Sequence, residues 1–436
     1  MTRHRYDDVE RFRRDFGRGV LADARHLSLQ ASLESLPPEL FELGDTLESL
    51  DLGGNRLTDL PSAFSRLRGL RILFCSGNRF RLLPPVLGAC VALTQIGCRD
   101  AAIEEVPGEA LPPGLRWLTL TGNRLRALPP RIGEMTRLRK LMLAGNQLVR
   151  LPDELQNCTG LELLRLSANR LAGLPPWLAQ MPCLAWLAWS GNGFGAPPTA
   201  PEVRAYRWDE LRLGAVLGQG ASGTVHAVEA APDGRPMALK LFKGALTSDG
   251  LPDHEQAACL AAGDHPNLVG AIGRLVAHSD GRGGLLMPLL PAGTAAVADP
   301  PDAESCSRDT YPDDRRFAGA DVLRLAHDAA LAADHLHARG IVHGDLYGHN
   351  LLWAGPGSMA RLSDLGAASF LFGGPGDGAL CRLDVRAWGV LVEELLVRCS
   401  DPLPARLREL CEAAQQARVL HRPSMAEIAR GVANLF

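Results

Sequence analysis

Three oxygen-bearing side chains in the C-terminal half have the types and the spacing of a cation site beside phosphate. Asp345 lies in the run His343-Gly344-Asp345-Leu346-Tyr347-Gly348-His349-Asn350, and Asp364 stands before Leu365-Gly366. Carboxylate and amide oxygens are the ligands that hard cations such as Mg²⁺ prefer. The alternative is that these are polar residues in surface turns, and the motifs that precede them argue against it.

A glycine-rich segment upstream predicts a phosphate-binding turn. It consists of Gly218, Gln219, Gly220, Ala221, Ser222 and Gly223, and it continues into Thr224-Val225-His226-Ala227-Val228. A dinucleotide-binding turn with this glycine spacing would open a helix, whereas the alternating β-branched residues here favour a strand. We therefore expect a hairpin whose backbone amides approach phosphate, with a plain glycine-rich turn as the alternative.

A lysine within an apolar strand needs a partner of opposite charge. Lys240 lies in the run Met237-Ala238-Leu239-Lys240-Leu241, where a buried ammonium group without a partner is costly. Glu255 is the only glutamate between Lys240 and the turn at His265. It lies on a short helix that we predict from near Asp253 to Gly263. We expect the two side chains to pair, and a solvated helix charge is the alternative for Glu255.

These four motifs, in this order, resemble the eukaryotic-type protein kinases. The resemblance implies that Asp345 is the catalytic aspartate, which orients the substrate hydroxyl and accepts its proton. It also implies that Asn350 and Asp364 hold Mg²⁺, and that Lys240 contacts the phosphates of ATP. The remaining nucleotide contacts that it implies are the segment 218–223, Val225, Ala238, Glu255, and the hinge residues Met287 and Leu289.

The chain departs from the kinase pattern around the segment 343–350, which we call the catalytic loop. Gly344 replaces the usual arginine before the aspartate, and Tyr347 replaces the usual lysine two residues after it. No Ser, Thr or Tyr lies between Phe370 and Leu383, the closing Ala-Pro-Glu is absent, and Arg422 lacks its usual glutamate partner. We therefore expect a shortened C-terminal lobe and an activity that does not depend on phosphorylation of an activation loop.

Two segments around the catalytic loop have a predicted structure of their own. Apolar residues at helical spacing predict a helix over Asp321 to Arg339, with Asp321 as N-cap and Gly340 as the stop. The stretch from Ala292 to Arg316 is rich in Pro, Asp and Ser and predicts a mobile insertion after the hinge. The motif that begins at Asp384 resembles the start of the family's core helix.

The N-terminal half is periodic, and its period predicts a solenoid. Asn55, Asn78, Asn123, Asn146, Asn169 and Asn192 recur at a spacing of 23, with one residue fewer across the double gap after Asn78. The surrounding Leu-x-x-Leu-x-Leu-x-x-Asn-x-Leu pattern resembles leucine-rich repeats of the 23-residue type. We predict an N-terminal cap over 1–23, eight repeats over 24–196, a Pro-rich linker over 197–208 and a kinase domain over 209–436.

One face of the repeats is a candidate surface for a protein partner. The third and fifth positions of each strand motif point to the concave side. Large apolar residues occupy several of them, namely Ile72, Phe74, Trp117, Met142, Leu163 and Trp186. A cluster of exposed apolar side chains often marks an interface. The alternative is that the kinase domain or the N-terminal segment covers these residues.

Composition excludes several classes of protein and partner. The 436 residues carry a net charge of −3, so no general attraction to nucleic acid follows. We find no apolar run of spanning length and no apolar signal core at the start. Ten scattered cysteines without a Cys-x-x-Cys pair argue against zinc and a disulfide framework. These features favour a cytoplasmic protein.

The sequence as a whole predicts a multidomain chain, with an α/β leucine-rich-repeat solenoid followed by an α+β bilobal protein-kinase-like domain. This arrangement resembles a family of bacterial leucine-rich-repeat protein kinases, over nearly the full chain. The resemblance implies a Ser/Thr-type protein kinase that uses ATP and Mg²⁺. Two alternatives stay open: a nucleotide-binding pseudokinase scaffold, and a small-molecule phosphotransferase of the aminoglycoside or choline kinase type.

Overall fold

The protein consists of two compact units, seen in a computed structural model that describes residues 3–197, 203–220, 222–232, 234–244, 246–247 and 249–436. The first unit comprises Met1–Leu164 and Asn169–Ala172, and the second comprises Arg165–Ala168 and Gly173–Phe436. This division differs from the predicted boundary at residues 197–208, because the end of the repeats packs with the second unit. Residues 198–202 of that predicted linker lie outside the described residues.

The first unit is a leucine-rich-repeat solenoid with a parallel sheet. Equivalent leucines of neighbouring strands face each other in register, as Leu27 faces Leu50 and Leu50 faces Leu73. All three are buried, because stacked repeats build a core that one repeat cannot. The strands are β1 (Arg3–Tyr6), β2 (His26–Leu29), β3 (Ser49–Asp51), β4 (Ile72–Phe74), β5 (Gln95–Gly97), β6 (Trp117–Thr119), β7 (Lys140–Met142) and β8 (Leu163–Arg165).

The recurring asparagines satisfy backbone groups where the chain leaves each strand. Asn55 donates from Nδ2 to the carbonyls of Leu29 and Leu52, at 2.8 and 2.9 Å, and its Oδ1 accepts from Ala31 and Leu33. Buried backbone polar groups must be paired, so the side chain replaces bonds that a turn cannot make. Short 3₁₀ turns such as Ser62–Arg66 follow the Leu-Pro steps.

A short helix lies between the first two strands of the solenoid. Helix α1 (Val9–Gly17) begins after Asp8, whose carboxylate accepts hydrogen bonds from the amides of Glu10 and Arg11. Phe12 on this helix is buried. Its ring lies edge-on to that of Tyr6, with centroids 5.6 Å apart, so α1 packs on β1.

The second unit begins with the last turns of the repeats. Strand β9 (Trp186–Ala188) lies next to residues 166–168, since Leu166 donates its amide to Ala188 and Ala168 donates to Ser190, each at 2.8 Å. A six-stranded sheet follows in the order β10-β14-β15-β13-β12-β11. Its strands are β10 (Ala205–Arg207), β11 (Arg212–Gln219), β12 (Gly223–Ala230), β13 (Met237–Phe242), β14 (Gly273–Val276) and β15 (Gly284–Pro288), with helix α2 (Pro252–Ala262) between β13 and β14.

A helical lobe with short strand pairs completes the second unit. Its helices are α3 (Gly319–His337), α4 (Asp377–Val397), α5 (Ala405–Ala414) and α6 (Met425–Ala433). Strand β16 (Ala295–Ala296) pairs with β18 (Leu351–Trp353), β18 pairs with β19 (Ala360–Leu362), and β17 (Ile341–Val342) pairs with β20 (Ser369–Phe370). The two units therefore have the predicted fold classes, a repeat solenoid and a mixed sheet with a helical lobe.

Three local predictions are wrong. Helix α3 begins at Gly319, and Asp321 does not cap it because its carboxylate accepts a hydrogen bond from the Gly357 amide instead. Helix α4 begins at Asp377, well before Asp384. The stretch from Ala292 to Arg316 is not a mobile insertion, because Val297 and Asp309 within it are buried and bonded to the catalytic loop.

Candidate active site

The glycine-rich segment is the turn of a hairpin, as the alternating residues after it predict. Strands β11 and β12 pair antiparallel, with Gly218 opposite Val225 and Gln219 opposite Thr224. The amide of Gly220 donates to the carbonyl of Gly223 at 2.9 Å. A Cβ at Gly223 would lie 2.7 Å from the Leu241 carbonyl oxygen, so only glycine fits there. Ala221 lies outside the described residues, and Ser222 is buried.

Lys240 pairs with Glu255, as the sequence predicts. Lys240 is buried on β13, and its Nζ donates to Glu255 Oε1 on helix α2. The same Nζ lies 3.6 Å from Asp364 Oδ1. Burial by itself lowers the pKa of Lys240, but the carboxylates of Asp364 and Glu255 outweigh it and raise the pKa above its ordinary value. Lys240 therefore keeps its positive charge beside the cation-binding candidate.

The hinge strand lies beside the lysine strand. On β15, Met287 faces Ala238 of β13 in antiparallel register. Leu286 is fully buried, Met287 is half-buried, and Leu289 is exposed. Exposure therefore rises toward the end of β15 and the residue after it, where the sequence places the contact with adenine.

Asp345 and Asn350 are bonded to each other in the catalytic loop. Asn350 donates both amide hydrogens of Nδ2, to the Asp345 carbonyl and to Asp345 Oδ2, each at 2.8 Å. The oxygen of this side chain, Oδ1, is the atom by which an asparagine ligates a hard cation. Asp364 is 46% exposed and has a φ of 56°, a backbone conformation that non-glycine residues adopt at a cost. Strained residues of this kind cluster at functional sites.

A buried aspartate fixes the backbone of the catalytic loop. Asp384 is fully buried on α4 and accepts hydrogen bonds from the amides of His343 and Gly344, at 2.8 and 3.0 Å. His337 Nε2 contacts the same carboxylate at 3.0 Å. The His343 ring accepts in turn from the Asp345 amide. This chain of bonds sets where the Asp345 side chain points.

The segment before α3 supports the other end of the loop. Asp309 accepts a hydrogen bond from the Gly348 amide at 2.6 Å and contacts His349 Nδ1 at 2.6 Å. Burial by itself lowers the pKa of His349, and the neighbouring Asp309 and Asp345 carboxylates outweigh it, so the pKa is raised. No sequence pattern indicated Asp309, because it lies in a stretch whose composition resembles a loop.

An arginine outside the predicted site residues contacts the candidate catalytic aspartate. Arg165, at the end of β8, donates from its guanidinium to Asp345 Oδ1 and to the Gly344 carbonyl. Burial by itself raises the pKa of Asp345, but Arg165, His349 and His343 outweigh it and lower the pKa below its usual value. The sequence position of Arg165 could have indicated a special role, because Arg165 interrupts the apolar residues of the candidate partner face.

The candidate partner face is only partly exposed. Phe74 is 39% exposed, and Ile72 and Trp117 are half-buried. The expectation of exposure is wrong for Met142, Leu163 and Trp186, which are buried. Trp186 is covered because it stacks on Tyr347, with ring centroids 4.2 Å apart and an interplanar angle of 5°. Trp186 therefore packs in the interior of the second unit.

Two protein-family models match the chain. A leucine-rich-repeat model matches residues 25–80 and 113–171. A protein kinase domain model matches residues 211–377. The chain is therefore similar to leucine-rich repeats in its N-terminal half and to a protein kinase domain after them. The residues from 378 onward, which hold most of α4 and all of α5 and α6, lie outside the second match.

Two curated relatives, both receptors by name, match part of the chain. The chain is 28% identical over 188 residues to the epidermal growth factor receptor of Apis mellifera, and 26% identical over 185 residues to the receptor tyrosine-protein kinase erbB-4 of Mus musculus. Each match covers 41% of this chain and 13% of the relative, so the chain spans only a small part of their length. An LRR protein of Leptospira interrogans matches with 26% identity over 44% of this chain and 54% of its own, at a TM-score of 0.37.

No helix within the described residues is both long enough and apolar enough to cross a membrane.

Proposed function

We propose that the protein is an ATP-dependent protein kinase of the Ser/Thr type. The observation that carries this proposal is the convergence of Lys240, Glu255 and Asp364 in one charged cluster, with Asp345 and Asn350 bonded to each other in the adjoining loop. The kinase-domain match supports the same class. The position of each residue corresponds to a role in phosphate transfer.

In the proposed reaction the oxygen of a substrate hydroxyl bonds to the γ-phosphorus of ATP. The bond between that phosphorus and the β,γ-bridging oxygen breaks, and ADP leaves. Asp345 orients the hydroxyl and accepts its proton. Lys240 would hold the α- and β-phosphates, and backbone amides of the glycine-rich segment would donate to the phosphates. Electrostatic stabilisation and positioning supply most of the catalysis in this reaction class.

The residues present fit a magnesium ion. Asp364 offers an exposed carboxylate and Asn350 offers Oδ1. Within the described residues no cluster of three His, Cys, Asp or Glu side chains forms a complete metal cage. Mg²⁺ commonly takes one or two protein ligands and completes its shell with phosphate oxygens and water, so two ligands suffice. When bound, the ion neutralises charge on the phosphate oxygens.

The first expected result concerns nucleotide binding. Millimolar ATP with Mg²⁺ raises the melting temperature of the full chain, because a ligand that binds only the native state stabilises it by about 2.7 kcal/mol at 100 times its Kd. For a unit of this size that corresponds to roughly 5–10 °C. Asp364→Ala removes most of the shift in a thermal-denaturation assay. The matched control is the exposed Asp314→Ala, which keeps it. A shift that survives Asp364→Ala contradicts the assignment.

A specific observation keeps tyrosine specificity as a second candidate. One curated relative is a receptor tyrosine-protein kinase by name, and the chain has Tyr347 where the Ser/Thr pattern has lysine. Phosphoamino-acid analysis of a labelled acceptor protein decides between the two. Phosphoserine or phosphothreonine supports the proposal, and phosphotyrosine alone overturns the Ser/Thr assignment.

We also propose that the exposed part of the repeat face binds a protein partner. Phe74 and Trp117 are the largest apolar groups there, and Lys140 Nζ lies 4.0 Å from the centroid of the Trp117 ring. Aromatic residues dominate binding energy in many interfaces. The double substitution Phe74→Ala with Trp117→Ala should abolish capture of a partner by the full chain, with Val149→Ala, an exposed apolar residue, as the control. Equal capture by the double variant would reject this surface.

A further inference from the structure

Arg165 is a buried cation at the centre of a three-way contact. Its side chain is 2% exposed. Nε donates to Asp249 Oδ1 at 2.7 Å, one terminal nitrogen donates to the Gly344 carbonyl at 2.9 Å, and the other donates to Asp345 Oδ1. A buried charge is tolerated when it is paired and hydrogen-bonded, and here every nitrogen of the guanidinium has an acceptor.

The three acceptors belong to two separate parts of the site. Gly344 and Asp345 are in the catalytic loop. Asp249 precedes helix α2, which begins at Pro252 and carries Glu255. Residues 249–251, the lead-in to α2, pack against the end of the repeats. A Cβ at Gly250 would lie 3.0 Å from Ser190 Oγ and 3.2 Å from Ser167 Cβ. One arginine thus links the catalytic aspartate to the helix that positions Lys240.

The catalytic loop contacts the last repeat through Gly344 and Tyr347. Gly344 has a φ of 69°, and a Cβ there would lie 2.5 Å from the Leu187 carbonyl oxygen of β9. The arginine that the kinase pattern has at this position therefore cannot be accommodated. Beside it, Trp186 donates from Nε1 to the Leu346 carbonyl at 3.1 Å and stacks on Tyr347. Both departures from the kinase pattern are contacts with the last repeat.

We propose that Arg165 is a positioning residue for phosphate transfer, which supplies from the repeats the cation that Gly344 and Tyr347 leave missing from the catalytic loop. The proposal rests on the proposed kinase function. Arg165 holds one oxygen of Asp345 while Asn350 holds the other, and it fixes the lead-in to α2 at the same time. The end of the repeats is then an integral part of the kinase site.

The burial around Arg165 distinguishes this role from an inhibitory contact that must be released. Trp186 and Trp189 are 1% and 0% exposed, and each such side chain buries about 150–250 Å². Trp189 also donates from Nε1 to the Phe370 carbonyl at 3.2 Å, and its amide donates to Ser369 Oγ at 2.9 Å. Release would expose this surface and break these bonds. Asp345 itself keeps 16% of its side chain exposed, where a hydroxyl can reach it.

The test is steady-state kinetics of the full chain with Arg165→Met, Arg165→Lys and the control Arg137→Ala, an exposed arginine of the preceding repeat. Arg165→Met should lower kcat by about 10²-fold or more and leave KM for ATP within about threefold, since the contact orients the reacting groups and does not bind the nucleotide. Arg165→Lys should recover part of kcat, because it restores the charge without the fork geometry. Arg137→Ala should match the parent chain.

A second measurement confirms that the variants fold and that the contact exists. The melting temperatures of Arg165→Met, Asp345→Asn and the double variant form a cycle. We expect the double variant to lose several degrees less than the sum of the single losses. Each Arg165 variant should keep the shift caused by Mg²⁺ and ATP.

The outcomes distinguish a failure of the proposed kinase function from a failure of the proposed role of Arg165. If the parent chain transfers no phosphate, the proposed function is wrong. Parent chain that is active, with Arg165→Met equally active or faster, overturns the role of Arg165 and points to inhibition instead. A parallel loss of kcat in Arg165→Met and Arg165→Lys, with the ATP shift also lost, reduces Arg165 to a purely structural residue.

Discussion

Asp345→Asn is expected to lower the rate of phosphate transfer by about 10²–10⁴-fold, the usual contribution of a positioned general base. The amide keeps the size of the side chain but neither accepts the proton of the substrate hydroxyl nor pairs with the charge of Arg165. KM for ATP should change little, because Asp345 contacts the loop and not the nucleotide-binding hairpin. Initial rates with labelled ATP measure the loss.

The matched control for this substitution is Asp313→Asn, at an exposed aspartate of the same unit. It should leave the rate unchanged. If Asp345→Asn keeps more than about a tenth of the parent rate, a contribution of the size expected from a general base is absent and the catalytic assignment fails.

We expect Asp384→Ala to lower the free energy of unfolding more than any other single substitution proposed for this protein. It leaves the amides of His343 and Gly344 buried without an acceptor, at about 1–3 kcal/mol for each unsatisfied group. The total loss in the free energy of unfolding should be about 3–5 kcal/mol. Urea unfolding followed by tryptophan fluorescence measures it, because every tryptophan except Trp117 lies in the second unit.

Asp384→Asn serves as the graded comparison. Its remaining carbonyl oxygen can accept one of the hydrogen bonds, so we expect roughly half of the loss. Asp313→Ala should leave the transition in place. An unfolding midpoint for Asp384→Ala equal to that of the parent chain would mean that Asp384 does not hold the catalytic loop.

The parts of the site that the sequence predicted are those whose cause is local. The hairpin followed from glycine spacing and the alternating residues after it. The pair of Lys240 and Glu255 followed from the cost of a buried ammonium and the lack of another glutamate nearby. The repeat solenoid followed from a period that recurs along the chain. In each case the deciding residues lie close together or recur at a fixed interval.

The parts that the sequence did not predict depend on long-range contacts. Arg165 and Asp345 are 180 residues apart, and no periodic pattern connects them. Trp186 fits the apolar positions of the repeats, so its contact with Tyr347 was not visible. Asp309 sits among Pro and Ser residues that resemble a loop, yet it is bonded to Gly348 and His349.

The late arginine shows the same limit. The sequence identified Arg422 as a family position without its usual glutamate partner. In the structure Arg422 is buried and donates to the Pro182 carbonyl at 2.8 Å, the Gln416 carbonyl at 2.8 Å and the Arg382 carbonyl at 3.1 Å. Backbone carbonyls replace the carboxylate, and one of them comes from the end of the repeats. A missing motif residue therefore did not leave its partner without hydrogen bonds.

The most direct test of the kinase assignment is the fate of the γ-phosphate of labelled ATP. The purified full chain is incubated with Mg²⁺, a generic acceptor protein and, in separate reactions, an aminoglycoside or choline. The account predicts label on protein serine or threonine and none on the small alcohols. Label on a small alcohol alone, or tight ATP binding without any transfer, would contradict it.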